Sequence, residues 1–467
     1  MSKASRALLL SSALFLASCQ SLNFGERMAM RGGEEALDRA GAVEASLPDA
    51  LPFAVSPTRA DSFAGLYADP LLGEYIDRAL AANTDLAQAR ARLAAAEARL
   101  RQAEARDSFT LSAGASGGLS TLLSDFDVND SAGLNVGVGY DPDVFGGIAA
   151  DVRGSAAREG IARAELARLR RTVAARTAQS YIAVIAADAR LALARENFEF
   201  LGETQRVSQA RFELGQTARA DFALSEAEYE NSRAALADQE LSARERRRAL
   251  AALINAFADE DLAVAPDLPR PSAAAIGLRE AADRAVLSRF DVQAARLGVV
   301  AAVADVDSTI ASTLPSFSLN GGITGGLKLS DLFDVDTYIA RLTASISDVL
   351  FDGGGEEARI DGAQANVEGA LARFEAQARD AYSDLVAGFD RVEVARLRVA
   401  ALDAAAEAAQ SALDLETIRF EEGDAILLDV LTVQRRVNSI LGARISAEAD
   451  LLQSLADAHL AAGPATP

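Results

Sequence analysis

The pentapeptide Arg211-Phe212-Glu213-Leu214-Gly215 returns as Arg419-Phe420-Glu421-Glu422-Gly423, displaced by close to half of a 467-residue chain. An aspartate follows each glycine by six residues, Asp221 and Asp429. Asp85 and Asp291 each sit early in an alanine-rich run, and Phe109-Thr-Leu-Ser has its counterpart in Phe317-Ser-Leu-Asn. Asp141-Pro-Asp-Val-Phe145-Gly-Gly likewise matches Ser347-Asp-Val-Leu-Phe351-Asp-Gly-Gly. A repeat of roughly 200 residues is far longer than the 20–50 residues of a solenoid unit. The chain therefore reads as a duplicated domain.

What lies between the landmarks alternates between two periodicities. From Asp69-Pro70 the spacing is helical, with Leu80, Leu86, Leu93 and Leu100 six or seven apart and alanines between them, as in closely packed helices. The period then falls to two. Phe109, Leu111, Ala113 and Ala115 alternate with Thr110, Ser112, Gly114 and Ser116, and Leu134, Val136, Val138 and Tyr140 with Gly133, Asn135, Gly137 and Gly139. Each run has the length of a tilted membrane-spanning strand. The acidic segment Ser124 to Asp130 between them is expected to be an exposed loop. It lacks the glycine and the final glutamate of a calcium loop.

After Phe145-Gly146-Gly147 no proline occurs until Pro266. Helical spacing from Ile148 to Glu213 predicts about 100 Å of continuous helix at 1.5 Å per residue, the length of a duct or spacer rather than of a globular core. The chain turns at Gly215 and returns through Leu236, Ala243, Leu250 and Phe257. Ala265 to Ser272 carries three prolines and reads as a linker. The second half repeats this order. A helix is expected over about 277–309, strands around Phe317–Thr324 and Tyr338–Ile346, a long helix over about 355–421, a turn at Gly423 and a return helix to about 462.

Four membrane strands cannot close a barrel, for which about eight is the minimum. An open sheet in lipid leaves unpaired backbone groups at several kcal/mol each, far beyond a domain's net stability. The chain must share a barrel with other copies. Eight, twelve or sixteen strands from a dimer, trimer or tetramer all satisfy this requirement. The fold class is thus mainly α with a membrane β-barrel, built of duplicated halves.

Composition narrows the chemistry. A net charge of −22 repels nucleic acid. One histidine, His459, and one cysteine, Cys19, leave no internal disulfide, no Cys/His zinc site and almost no nucleophile–histidine pair. No cofactor or metal is expected, and an enzyme is disfavoured. The glycine clusters lack the residues that complete a phosphate loop or dinucleotide turn. Lys3 and Arg6 precede an apolar run from Ala7 to Ala17, the pattern of an export signal.

Together these features resemble the outer membrane factor family, the TolC-like efflux proteins, in its lipidated NodT/OprM-type branch. The resemblance rests on the duplicated Arg-Phe-x-x-Gly turns, the two strand-to-helix junctions and Leu16-Ala17-Ser18-Cys19, which is similar to a lipobox. It implies a signal peptide over 1–18 and acylation (palmitate) at Cys19. An extended segment over 19–68, repeats over 69–262 and 274–462, a linker over 263–273 and a tail over 463–467 complete the domain reading. It further implies a homotrimer in outer-membrane lipid, with a long periplasmic α-helical barrel. The partners would be a periplasmic adaptor (membrane fusion protein) and an inner-membrane transporter of RND type, passing drugs or other small molecules outward. Type I protein secretion, or a channel-free spacer lipoprotein, are the alternatives. Arg211, Leu214, Gly215, Gln216, Arg419, Glu422, Gly423 and Asp424 would form the adaptor-contacting tips. Asp429 would form a periplasmic constriction. The family's frequent arginine two residues after the second glycine is Ala425 here, and a second common acidic position is Thr432.

Replacing Cys19 by serine is expected to abolish metabolic labelling with radioactive palmitate; retained label would place the acyl chain elsewhere.

Overall fold

The computed structural model describes residues 37–42, 63–67, 69–121, 128–270, 285–325, 336, 338–422 and 424–463. The expected signal peptide, Cys19, the prolines of the extended segment, the centres of both inter-strand loops, residues 271–273 of the linker and Gly423 lie outside the described residues.

The principal elements follow the duplicated order: α1 (Pro70–Ala82), α2 (Thr84–Ala105), β1 (Thr110–Thr121), β2 (Val128–Tyr140), α3 (Gly147–Glu213), α4 (Arg219–Leu253), α5 (Phe290–Ser312), β3 (Ser316–Gly325), β4 (Ile339–Ser347), α6 (Gly355–Glu422) and α7 (Leu427–Ala461). The two long helices expected from the proline-free stretches run unbroken for 67 and 68 residues. No helix among the described residues is long and apolar enough to cross a membrane. Two compact units result, one holding the described residues of 1–46, 91–164 and 294–376, the other those of 47–90, 165–293 and 377–467. Each takes pieces from both repeats.

In the first unit the four strands form one antiparallel sheet in sequence order, β1-β2-β3-β4. Leu111 faces Val138, Val136 faces Ile323, and Phe317 faces Ile346, so one face is apolar across all four strands. That face is bare: Leu111 is 73% and Leu342 83% exposed. The opposite face carries Thr110, Ser112, Asn320, Thr343 and Ser345 with glycines between them. β1 and β4 are edges. Asp143 accepts from the backbone N–H groups of Ile148 (3.0 Å) and Ala149 (2.8 Å) at the start of α3. Asp352 does the same for Gly354 (3.0 Å) and Glu356 (2.5 Å) at the start of α6, so each strand-to-helix junction is closed by an aspartate cap. Side by side in this unit, α3 and α5 are joined by Arg153–Asp307 (2.7 Å) and Arg158–Asp305 (2.5 Å).

The second unit holds the larger apolar core. Here α3 is buried nearly all round through Val173, Ala174, Ala178, Tyr181, Ile182 and Ile185, packed with Leu72, Leu86, Leu250 and Leu455. A helix apolar on every side belongs inside. Tyrosine hydroxyls fasten the chain crossings. Tyr67 donates to the Leu452 carbonyl (2.8 Å) and Tyr75 to that of Ala263 (2.7 Å). Tyr181 donates to Asp69 (2.7 Å) and accepts from the Ala265 N–H (3.1 Å). Asp69 also caps α1 through the Leu71 N–H (2.9 Å). Burial, followed by the hydrogen bond to Asp69, pushes the Tyr181 phenol well above its ordinary range.

Two expectations change in detail. The run from Pro70 is two helices, because Asn83 starts a new one by accepting from the Leu86 N–H (3.0 Å). Val128, Asn129 and Asp130 belong to β2 rather than to a loop, since their backbones pair with Thr121, Ser120 and Leu119. The strands thus outrun the apolar alternation that revealed them. Ile339, opposite Thr324, shares the polar face with Thr343 and Ser345.

His459 sits buried near the end of α7, its ring edge-on to Phe63 at 4.9 Å. The Nε2 atom has no hydrogen-bond partner. Burial, and secondarily the Arg171 guanidinium, pushes its pKa down from 6.5 to about 4. Arg171 meanwhile holds the chain end, donating to the carbonyls of His459 and Gly463 (both 2.9 Å). The unfolded chain takes up the histidine proton first, so through this group acidification favours unfolding from pH 6.5 down to about 4. The expected slope approaches about 1.4 kcal/mol per pH unit. Unfolding midpoints in detergent between pH 7 and 5 should show it, and His459→Leu should flatten it.

Candidate functional site

The two Arg-Phe-x-x-Gly segments end the two long helices with one backbone bond in common. At the end of α3, the Gln216 N–H reaches back to the Arg211 carbonyl (2.8 Å) and the Gly215 N–H to that of Phe212 (2.9 Å). Gly215 has φ +70. This is a Schellman stop, whose left-handed residue carries no Cβ penalty only as glycine. At the end of α6, the Asp424 N–H reaches the Arg419 carbonyl at the same 2.8 Å. Arg419 adds a bond from its guanidinium to the Asp424 carbonyl (3.3 Å) and pairs with Glu416 (2.9 Å).

The structure brings the two turns together. The Arg211 guanidinium lies 4.4 Å from the centre of the Phe420 ring, so the cation of one copy of the motif covers the aromatic of the other. Phe212 stacks on Phe222 with ring centres 5.6 Å apart. Beneath them Leu201, Leu427 and Leu431 pack with Phe200, Leu224 and Phe420. The repeated motif thus joins its own two copies, since the arginine of the first and the phenylalanine of the second tie two hairpins into one tip. Repetition alone marks both phenylalanines as special; which arginine meets which ring is a matter of three-dimensional packing.

Of the expected tip residues, Leu214, Gly215, Gln216, Arg419, Glu422 and Asp424 are exposed, and Arg211 is half-buried against Phe420. Leu214 is 71% exposed, and Ile426, which sequence reasoning passed over, is 62% exposed. One exposed apolar residue on each of two charged turns suits a protein contact.

Asp429 lies in the first turn of α7, exposed, with its carboxylate accepting from the Ile426 N–H (3.4 Å). A negative charge there also faces the positive end of the helix dipole. Its counterpart Asp221, in the first turn of α4, accepts instead from the Thr217 hydroxyl (2.8 Å). The difference follows from Ala425, which stands where the first repeat has Thr217 and offers no hydroxyl. Among the described residues, no group of three or more His, Cys, Asp or Glu is placed to hold a metal ion. His459 is packed far along α7 and has no carboxylate hydrogen-bonded to it that would make it a base.

The family model described as outer membrane efflux protein matches residues 75–256 and 281–463. Two relatives come from Pseudomonas aeruginosa. OpmQ, a pyoverdine export outer membrane protein, is 25% identical over 85% of this chain and 86% of its own. Outer membrane protein OprJ is 29% identical over a stretch that covers 32% of this chain and 31% of OprJ, so in that comparison the chain matches about a third of its relative. The open-state outer membrane channel MtrE of Neisseria gonorrhoeae superposes with a TM-score of 0.79 at 26% identity, over 90% of this chain and 96% of that one.

The arginine–phenylalanine contact between the turns is open to measurement. A double-mutant cycle of Arg211→Ala and Phe420→Leu, read from unfolding midpoints, should give a coupling of about 0.5–1 kcal/mol. Strict additivity would show the contact to be energetically idle.

Proposed function

The chain belongs to the outer membrane efflux protein family and is an outer-membrane efflux duct, and on that premise we propose that three lipid-anchored copies form the exit of a tripartite system for small molecules. One observation carries the assembly: a four-stranded sheet with a bare apolar face and two edges, β1 and β4, that lack a partner within the sheet. Lipid accepts the face but not the edges. Joining β4 of one copy to β1 of the next removes every edge when the ring closes. Three copies make twelve strands, in the range of membrane barrels. OpmQ, related over most of both chains, exports a small molecule by name, which supports small-molecule cargo. Acylation at Cys19 would hold each copy in the outer leaflet's inner neighbour, and several chains together anchor far better than one.

The paired turns are the docking surface for the hairpins of a periplasmic adaptor, which in turn meets an inner-membrane transporter of RND type. Exposed Leu214 and Ile426 supply apolar contact, while Gln216, Glu422 and Asp424 supply the polar rim. Asp429, one turn above, would meet its two symmetry mates and form an acidic constriction that attracts cations.

Deleting the gene should sensitise cells to a panel of small-molecule toxins while leaving the secreted proteome unchanged. Complementation with Gly215→Leu plus Gly423→Leu should restore trimers in the outer membrane but lose most adaptor crosslinking and resistance. Trimers that crosslink normally would exclude docking at the turns. A deletion that alters only secreted proteins would exclude small-molecule cargo.

A further inference from the structure

Among the described strand residues only two are charged, Asp130 at the loop end of β2 and Arg341 in β4. Alternation puts Arg341 on the face of Thr343 and Ser345, opposite the apolar face of Leu342 and Ile346. Its neighbours in the register are the smallest possible: Gly322 on β3 and Gly137 on β2, then Ser112 on β1. A Cβ at Gly322 would lie 3.3 Å from the Val136 carbonyl, and one at Gly137 would lie 3.3 Å from the Ser112 hydroxyl. No side chain therefore rises from these two positions to cover the guanidinium. The surrounding polar groups are occupied with one another. Ser112 donates to the Gly137 carbonyl (3.4 Å), Ser318 and Ser345 share a hydrogen bond (2.7 Å), and Asn320 donates to Ser318 (3.3 Å). Arg341 is exposed, and no carboxylate among the described residues pairs with it. In a chain of net charge −22 an arginine without a carboxylate partner among the described residues, on a wall of Gly, Ser, Thr and Asn, stands out.

We propose that Arg341, repeated around the shared barrel, forms a ring of positive charge near the outer exit of the lumen that favours anionic cargo over cationic. The inference rests on the three-copy barrel described above. Facing lipid, an arginine would cost about 2–4 kcal/mol at mid-depth, whereas facing a lumen it tunes selectivity. Twelve strands about 4.8 Å apart, tilted by about 40°, enclose a tube roughly 24 Å between opposite backbones. The axis is then about 12 Å from the wall, comparable with a Debye length of about 8–10 Å at physiological salt. Three guanidinium groups at one height therefore act on whatever crosses the axis. Arg341 lies two residues into β4 from its loop end, the end remote from α6, so cargo meets it late. Being permanently charged, arginine keeps this preference at every physiological pH.

The test uses the full-length protein in planar bilayers. Anion-to-cation permeability from the reversal potential in dilute KCl should fall about threefold in Arg341→Gln, and further in Arg341→Glu, with the difference fading as salt rises. Arg341→Lys should keep the wild-type ratio. Tripolyphosphate added at the loop side should block the wild type and Arg341→Lys, and not Arg341→Gln. If wild-type protein conducts but the Gln and Glu variants match it in selectivity and block, the arginine ring is excluded. If wild-type protein does not conduct at all, it is the barrel reading that fails.

Discussion

A backbone amide or carbonyl that enters hydrocarbon without a partner costs several kcal/mol, and the edges β1 and β4 present whole rows of them. Everything else about the sheet follows from that. Its apolar face can stay bare because lipid covers it. Its other face can be glycine-rich because no core needs filling there. Even the strand lengths, from 9 to 13 residues, answer to the thickness of a bilayer rather than to packing within the chain.

Away from lipid the same chain solves a different problem, that of keeping 67- and 68-residue helices in register. The duplication supplies the solution by meeting itself. Arg211 of the first repeat covers Phe420 of the second, and Asp143 and Asp352 cap corresponding helix starts. Where the two halves have diverged, the local chemistry diverges with them. Thr217 gives Asp221 a hydroxyl partner, while Ala425 leaves Asp429 to cap the backbone of Ile426. That leaves the Asp429 carboxylate without a side-chain partner, exposed beside the tip.

Stability is concentrated around Tyr181 and its neighbours. A phenol that both donates to Asp69 and accepts from Ala265 joins the start of α1, the middle of α3 and the stretch after α4 in one small network. Such a network is sensitive to loss of any one member, because each deletion strands a buried polar group at about 1–3 kcal/mol. The surface ion pairs between α3 and α5 are half-exposed, and pairs of that kind contribute little; their use is in setting the register.

Element order, the two long helices, the strand alternation and the glycine turn at Gly215 were legible in the amino acids. Periodicity and the steric freedom of glycine are local properties, readable wherever the pattern persists for a turn or two. Tertiary structure alone decided that Arg211 sits on Phe420, that Arg341 shares a row with Gly322 and Gly137, and that His459 is buried without a partner. These depend on residues tens to hundreds of positions apart arriving at one point. No short-range pattern encodes that, because the free energy that selects the pairing belongs to the packed whole.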